Sequence, residues 1–312
     1  MKPEHVVYRG RIAPSPTGFL HLGHARTFWT AQLRARSMGG VLILRNEDLD
    51  RARCRPEFVA GMLEDLRWFG FEWAEGPDVG GPVGPYNQSE RLGLYRSALA
   101  TLASSGWVYP CRCSRQDVQR AARAPHAGEE EPIYPGFCRP SEPCAFDIES
   151  VERETPGRVN WRFRCPEPRE VVFEDGGFGV QSRVVGRDFG DFVAWRGDGF
   201  PSYQLAVVVD DHQMGVTEVV RGADLLTSTA RQWLIYEAFG WKPPAFFHCP
   251  LVLDEQGQRL AKRHAALSLR ALREQGATPS QLRTTRGFEG GVRMLGLGWA
   301  FVGLLRVGVE AW

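Results

Sequence analysis

The stretch from Val6 to Leu44 constrains the fold more than any other part of the chain. Val6 to Ile12 is apolar and β-branched, Pro14, Pro16 and Gly18 stiffen the loop that follows, and a helical pattern runs from about Gly23 to Met38, where Gly39-Gly40 stops it. A second apolar run, Val41 to Leu44, comes next. Strand, loop, helix and strand in succession make an α/β fold with a parallel sheet the expected class. Arg45-Asn46-Glu47-Asp48 then falls where a buried parallel strand would reach its C-terminal edge, the side on which open α/β sheets bind ligands.

Further along, a helix opens at Pro56 with Phe58, Met62, Leu66 and Phe69 on one stripe, and a second, capped by Ser89, carries Leu92, Tyr95, Leu99 and Leu102. Residues 76–85 between them read as a loop. From Cys111 to about Val185 turns, prolines and short alternating runs such as Val159, Trp161 and Phe163 predict a small β-rich insertion. Tyr203 to Val209 is an apolar element leading to Asp210-Asp211-His212, Val216 to Val220 predicts a buried strand, and Ser228 to Phe239 a helix ended by Gly240.

Composition sets outer bounds. The 312 residues, 43% hydrophobic and 24% charged, suit one large domain with a smaller one inserted or appended. A net charge of +1 supplies no global attraction for a polyanion, so any nucleic-acid contact must come from a local basic face. Seven unevenly spaced cysteines and a start without an export signal favour a cytoplasmic protein. The longest apolar stretch, Met294 to Leu305, falls short of the roughly 20 residues a membrane span needs, so no membrane partner is expected.

Two constellations carry phosphate chemistry. Arg11-Ile12-Ala13-Pro14-Ser15-Pro16-Thr17-Gly18-Phe19-Leu20-His21-Leu22-Gly23-His24 ends at a helix start, where unpaired N–H groups and the helix dipole favour a phosphate and Gly23 lets a nucleotide approach the backbone. His21 and His24, three apart, could donate to the α-phosphate as charge builds; taken alone, the pair could equally bind a metal or pack in a core. Arg259-Leu260-Ala261-Lys262-Arg263 is a cationic loop of the kind that stabilises a leaving pyrophosphate, or else a plain basic turn. Lys262 is one of only three lysines among 38 basic residues.

These two stretches resemble the paired signatures of class I aminoacyl-tRNA synthetases in their glutamate-specific form. The match continues through Ile43 to Asp48, Tyr203 to His212 and Val216 to Asp224, covering about Gly10 to Arg270. The resemblance implies a Rossmann-type parallel-sheet catalytic domain in two parts, residues 1–110 and 186–265, with a zinc-containing acceptor-side insertion at 111–185. A short helical segment would follow at 266–312, without the large helical anticodon-binding region of full-length members. It also implies ATP as substrate with magnesium, an ATP site at Ala13, Pro14, Gly23, His24 and Lys262, and a glutamate pocket at Arg11, Ser15, Glu47, Tyr203 and Arg221. Two arginines and one glutamate complement the two carboxylates and one ammonium of free glutamate. Arg259 and Ala261 depart from the second signature, which normally has lysine and serine there.

Cys111, Cys113, Tyr134 and Cys138 form the third constellation. Thiolates spaced on either side of a loop suit a tetrahedral zinc, although small buried cysteines would give the same spacing. The set resembles the zinc site of short glutamyl-Q paralogues within the family, one zinc per chain, with Cys144 as a competing fourth ligand and Cys54, Cys165 and Cys249 structural. Those paralogues activate glutamate without tRNA and attach it to queuosine at the wobble position of tRNA(Asp). The other readings are a truncated enzyme charging a tRNA 3′ end and a catalytically silent tRNA-binding paralogue.

Overall fold

The first two apolar runs become neighbouring parallel strands, β1 (Arg9–Ile12) and β2 (Val41–Leu44), in register from Arg9 with Val41 to Ile12 with Leu44. Helix α1 (Leu22–Ser37) is the crossover between them. The protein is known here as a computed structural model that describes residues 7–121, 132–155, 159–251 and 268–285. Lys262, Arg259, Ala261 and the apolar stretch 294–305 lie outside the described residues.

Helix α2 (Pro56–Phe69) starts with proline at its first position and ends at Gly70, whose φ of 96° is the left-handed conformation that closes a helix at low cost only for glycine. Leu66 and Phe69 on its inner face are 0% exposed, each burial contributing on the order of 2–3 kcal/mol. Helix α3 (Leu92–Ser104) buries Tyr95, Leu99 and Leu102. Its cap differs from the sequence expectation: Arg91 occupies the N-cap, and its side chain makes no capping hydrogen bond. Ser89 instead lies in a short 3-10 turn, where its hydroxyl and N–H both donate to the Asp48 carboxylate, at 2.7 and 2.8 Å. A charged acceptor within reach outcompetes the helix start for that serine.

The middle of the chain contributes to two sheets. Strands β3 (Val108–Cys111), β4 (Asn160–Phe163) and β7 (Phe192–Trp195) form an antiparallel sheet in the order β3-β4-β7, with helices α4 (Arg115–Ala121) and α5 (Ile148–Glu154) before β4. Between β4 and β7 the hairpin of β5 (Glu170–Asp175) and β6 (Gly179–Val184) joins a different sheet, ordered β6-β5-β9-β8, with β8 (Glu218–Gly222) and β9 (Ala245–Cys249) parallel. The span 111–185 is therefore not closed on itself by strand pairing: β4 bonds to strands at or beyond both its ends, and β5 touches β9 at Asp175 and Phe246. β1 runs beside β8, since Thr217 N–H donates to the Arg9 carbonyl at 2.9 Å and Thr217 Oγ1 accepts from Arg9 N–H at 2.9 Å.

Helices cover both faces of these parallel strands. Leu42, Leu44, Val220 and Phe247 pack with α1 and α2, whereas Ile43, Val219 and Phe246 face the opposite way, toward Met214 and Tyr86. Strict alternation with both faces apolar is the reason the strands read as unbroken hydrophobic runs. Helices α6 (Tyr203–Gln213) and α7 (Leu226–Phe239) pack with α3 and the antiparallel sheet in a second core. Helices α8 (Leu269–Glu274) and α9 (Pro279–Thr285) close the described chain, with Leu269 and Leu282 buried against the α2 side. Among the described residues, no helix is long and apolar enough to cross a membrane.

Candidate functional site

A cleft of about 310 Å³ opens beyond the C-terminal ends of β1, β2, β8 and β9, within the usual range for a small-molecule site. Arg11, Ala13, Pro14, Ser15, His21, Gly23, His24, Glu47, Tyr203 and Arg221 all line it. Every described residue expected to hold glutamate or ATP is thus in one place; Lys262 lies outside the described residues. The segment bearing that lysine leaves from Leu251, which lines the cleft, and the chain is next described at Ser268, which forms a bridge with His21. Leu269 N–H also donates to the Leu20 carbonyl at 2.7 Å. Leu251 and Ser268, the described residues on either side of 252–267, are thus at the cleft and against one of its lining residues.

Local structure explains the placement. Glu47 N–H donates to the Pro14 carbonyl at 3.0 Å, so the two strand ends stay together and the stiff proline loop faces Glu47. His21 is the N-cap of α1 in extended conformation; its Nδ1 accepts from Gly23 N–H at 3.1 Å, while His24 Nδ1 accepts from His21 N–H at 3.4 Å. This is a reciprocal capping box built from two histidines, with the rings stacked at 3.7 Å. With both Nδ1 atoms accepting, the proton of a neutral ring sits on Nε2 in each histidine.

Beneath the cleft lies a buried charge network. Arg45, 0% exposed, bonds Asp211 at 2.6 Å and Glu47 at 3.1 Å and lies 3.6 Å from Asp210. Burial would lower the pKa of Arg45, but Asp211, Asp210 and Glu47 outweigh it and push it well above the ordinary value. Asp210 also accepts from Gln88, Arg91 and Tyr95, so the Asp210-Asp211 pair anchors α6 to α3 and to both strand ends. Glu47 is held above the usual carboxylate range by burial, against the pull of Arg45 and Arg11. Arg11 donates to the Val220 carbonyl at 3.0 Å and lies 3.5 Å from Asp211.

Arg221 enters from β8 and is 4% exposed. Its Nε donates to His248 Nε2 at 3.1 Å, Nη2 to Thr229 Oγ1 at 2.7 Å and Nη1 to the Tyr203 hydroxyl at 3.4 Å. Neither His248 nor its partner Asp175 was legible as a site residue, because 73 positions separate them and only the contact of β5 with β9 joins them. Arg45 gave one weak signal, a charge next to an apolar strand end.

The cysteines form a second centre at the end of β3. The Sγ atoms of Cys111, Cys113 and Cys138 lie within 4.8 Å of one another. The Tyr134 hydroxyl is 3.4 Å from Cys111 Sγ and 3.5 Å from Cys113 Sγ, and Cys113 and Cys138 Sγ are 3.7 Å apart. A tetrahedral zinc with sulfur at about 2.3 Å and oxygen at about 2.0 Å has edges of about 3.8 Å between sulfurs and about 3.5 Å from sulfur to oxygen, so the donor set fits. Arg162 Nε donates to Cys111 Sγ at 3.2 Å and its guanidinium stands 3.9 Å over the Tyr134 ring, placing positive charge beside the cluster. Cys144 is exposed and outside this cluster; Cys165 and Cys249 are buried, and Cys54 is half-buried.

Comparison with known proteins follows the same lines. The family described as tRNA synthetases class I (E and Q), catalytic domain, matches residues 7–290. The chain is 50% identical over 276 residues to a glutamyl-Q tRNA(Asp) synthetase of Nitratidesulfovibrio vulgaris, covering 88% of this chain and 83% of that protein. It is 52% identical to one from Symbiobacterium thermophilum, covering 86% and 82%. A glutamate–tRNA ligase of Syntrophus aciditrophicus is 44% identical, over 88% of this chain but 55% of the ligase. The crystal structure of the glutamate–tRNA synthetase of Elizabethkingia anophelis superposes with a TM-score of 0.71 at 33% identity, covering 82% of this chain and 53% of that one. The chain thus spans about half the length of these full-length synthetases.

Proposed function

From a chain that belongs to the catalytic-domain family of class I tRNA synthetases for glutamate and glutamine, ligases that form aminoacyl esters, we propose a two-step glutamate transfer. In the first step a carboxylate oxygen of L-glutamate attacks the α-phosphorus of ATP in line, and the bond to the bridging oxygen breaks to release pyrophosphate. In the second, a hydroxyl of queuosine at the wobble position of tRNA(Asp) attacks the acyl carbon, loses its proton, and AMP leaves.

The observation that carries this reading is the convergence of Arg11, Ser15, Glu47, Tyr203 and Arg221 with His21, Gly23 and His24 on one cleft. Arg11 and Arg221 are assigned to the carboxylates of glutamate and Glu47 to its ammonium; Ser15 and Tyr203 add hydroxyls at the rim. Ala13, Pro14 and Gly23 receive ATP, whose accompanying magnesium enters with it. His21 and His24, with their Nε2 protons, stabilise charge on the α-phosphate, and Lys262 takes the leaving pyrophosphate. Holding both substrates in one cleft removes the entropic cost of their encounter, so no side chain need act as a nucleophile.

The queuosine acceptor is supported by the two relatives at 50% and 52% identity, both of which bear that name and match this chain over more than four-fifths of their length. Zinc is assigned to Cys111, Cys113, Tyr134 and Cys138 on the tetrahedral fit of their spacing. There it would tie the loop around 134–138 to β3 and support the tRNA side of the molecule. Labelled glutamate offered with tRNA(Asp) containing or lacking queuosine tests the acceptor. Label should appear only on the queuosine form, and labelling that ignores queuosine would move the acceptor to the tRNA 3′ end.

A further inference from the structure

Arg221 does not stand alone. Its Nε donates to His248 Nε2 at 3.1 Å, and His248 Nδ1 lies 2.5 Å from Asp175 Oδ2, with His248 and the Asp175 side chain wholly buried. The two oxygens of Asp175 have separate tasks. Oδ1 accepts from the backbone N–H groups of Gly177 and Phe178, both at 2.9 Å, and of His248 at 3.2 Å, while Oδ2 faces the imidazole. The turn of the β5–β6 hairpin is pressed onto β9 at this point: a Cβ on residue 177 would stand 2.1 Å from the His248 carbonyl oxygen, so only glycine fits.

The hydrogen-bond directions follow from this arrangement. Arg221 can only donate, so His248 Nε2 must accept, the imidazole proton must sit on Nδ1, and Asp175 must receive it. Burial, with the arginine adjacent, lowers the histidine's pKa and keeps the ring neutral. With Nε bound to His248, Nη2 to Thr229 and Nη1 to Tyr203, three of the five N–H groups of Arg221 are held by the protein, and the guanidinium plane is fixed.

We propose that Asp175 and His248 are positioning residues that hold the Arg221 guanidinium in the plane required to grip a carboxylate of the amino-acid substrate. The inference rests on the reading of the cleft as a glutamate site. It also gives the hairpin of β5 and β6 a purpose, because that hairpin carries Asp175 to the back of the site.

Asp175→Asn is the sharpest perturbation. The three backbone N–H groups require the amide oxygen at the Oδ1 position, so the amide NH2 must face His248 Nδ1. The imidazole proton is then forced onto Nε2, donor against donor with Arg221. KM for glutamate in pyrophosphate exchange should rise about 10- to 100-fold, the range for losing one hydrogen bond to a charged group, with KM for ATP unmoved. His248→Leu should behave the same way, whereas His248→Gln, which restores an acceptor, should recover most of the loss. Arg221→Ala is the control for the site itself.

If Arg221→Ala raises the glutamate KM but Asp175→Asn and His248→Leu do not, the positioning role is wrong and the glutamate site stands. If Arg221→Ala changes nothing, the glutamate assignment of Arg221 falls, and the inference with it. Should the variants fail to fold, nitrogen NMR of the histidine-labelled native chain decides the matter at neutral pH. A His248 ring protonated on Nδ1 alone is expected; one protonated on Nε2 overturns the proposal.

Discussion

Asp65 lies on the inner face of α2, 0% exposed, and among the described residues neither carboxylate oxygen has a hydrogen-bond partner. Arg270 of α8 faces it, with Nε 3.9 Å away and Nη2 engaged by Glu64 at 2.7 Å. Burial therefore pushes the Asp65 carboxyl up from 3.8 to about 6, against the weaker opposing pull of Arg270 and Arg273. A folded pKa raised by about 2 units means that the ionised form costs on the order of 3 kcal/mol of folding stability above pH 6. The sign follows directly: below the unfolded value the carboxyl is neutral in both states and nothing is lost, and stability drains away as pH rises from about 4 to about 6. Asp65→Asn removes the charge but leaves an amide poorly paired, so a net gain of about 1–2 kcal/mol is expected at pH 8. Urea unfolding of native and variant chains at pH 5 and pH 8 measures it, and the advantage of the variant should shrink at the lower pH. A variant less stable than native at pH 8, or an advantage independent of pH, would show that Asp65 is not a buried charge held at a cost.

The other expectations concern the two centres directly. His24→Ala should lower the activation rate by about 10²-fold, the usual cost of losing one donor to a charged transition state, and pyrophosphate exchange reads it. Glu47, raised by burial, must ionise to accept the substrate ammonium, so glutamate affinity should weaken as pH falls through its elevated pKa. Glu47→Gln should bind glutamate poorly and lose that pH dependence in calorimetric titration. Metal analysis of the native chain should find about one zinc per molecule, and Cys113→Ser should lose it; an unchanged zinc content would remove the donor assignment.

Much of the parallel sheet could be read from the chain because both its faces are buried. Val41 to Leu44 and Val219-Val220 are apolar without interruption, and Gly39 and Gly240 punctuate their neighbours. The cleft residues were legible because they sit in short linear stretches at strand ends, where position along the chain already implies position in space. Ser89 reads as a cap because the sequence does not show that Asp48 is close enough to claim it. The same limit hid Asp175 and His248, which look like a turn aspartate and a core histidine until β5 and β9 are paired. The insertion's strands divided between two sheets for a related reason, since alternation identifies a strand but not its partner.

Whether this cleft activates glutamate is read by ATP–pyrophosphate exchange with every tRNA omitted. Exchange should depend on glutamate, should not be supported by glutamine or aspartate at equal concentration, and should fall in Arg11→Ala, Arg221→Ala and Lys262→Ala proteins. Exchange that appears only when tRNA is added, or that is indifferent to glutamate, would contradict glutamate activation by this cleft.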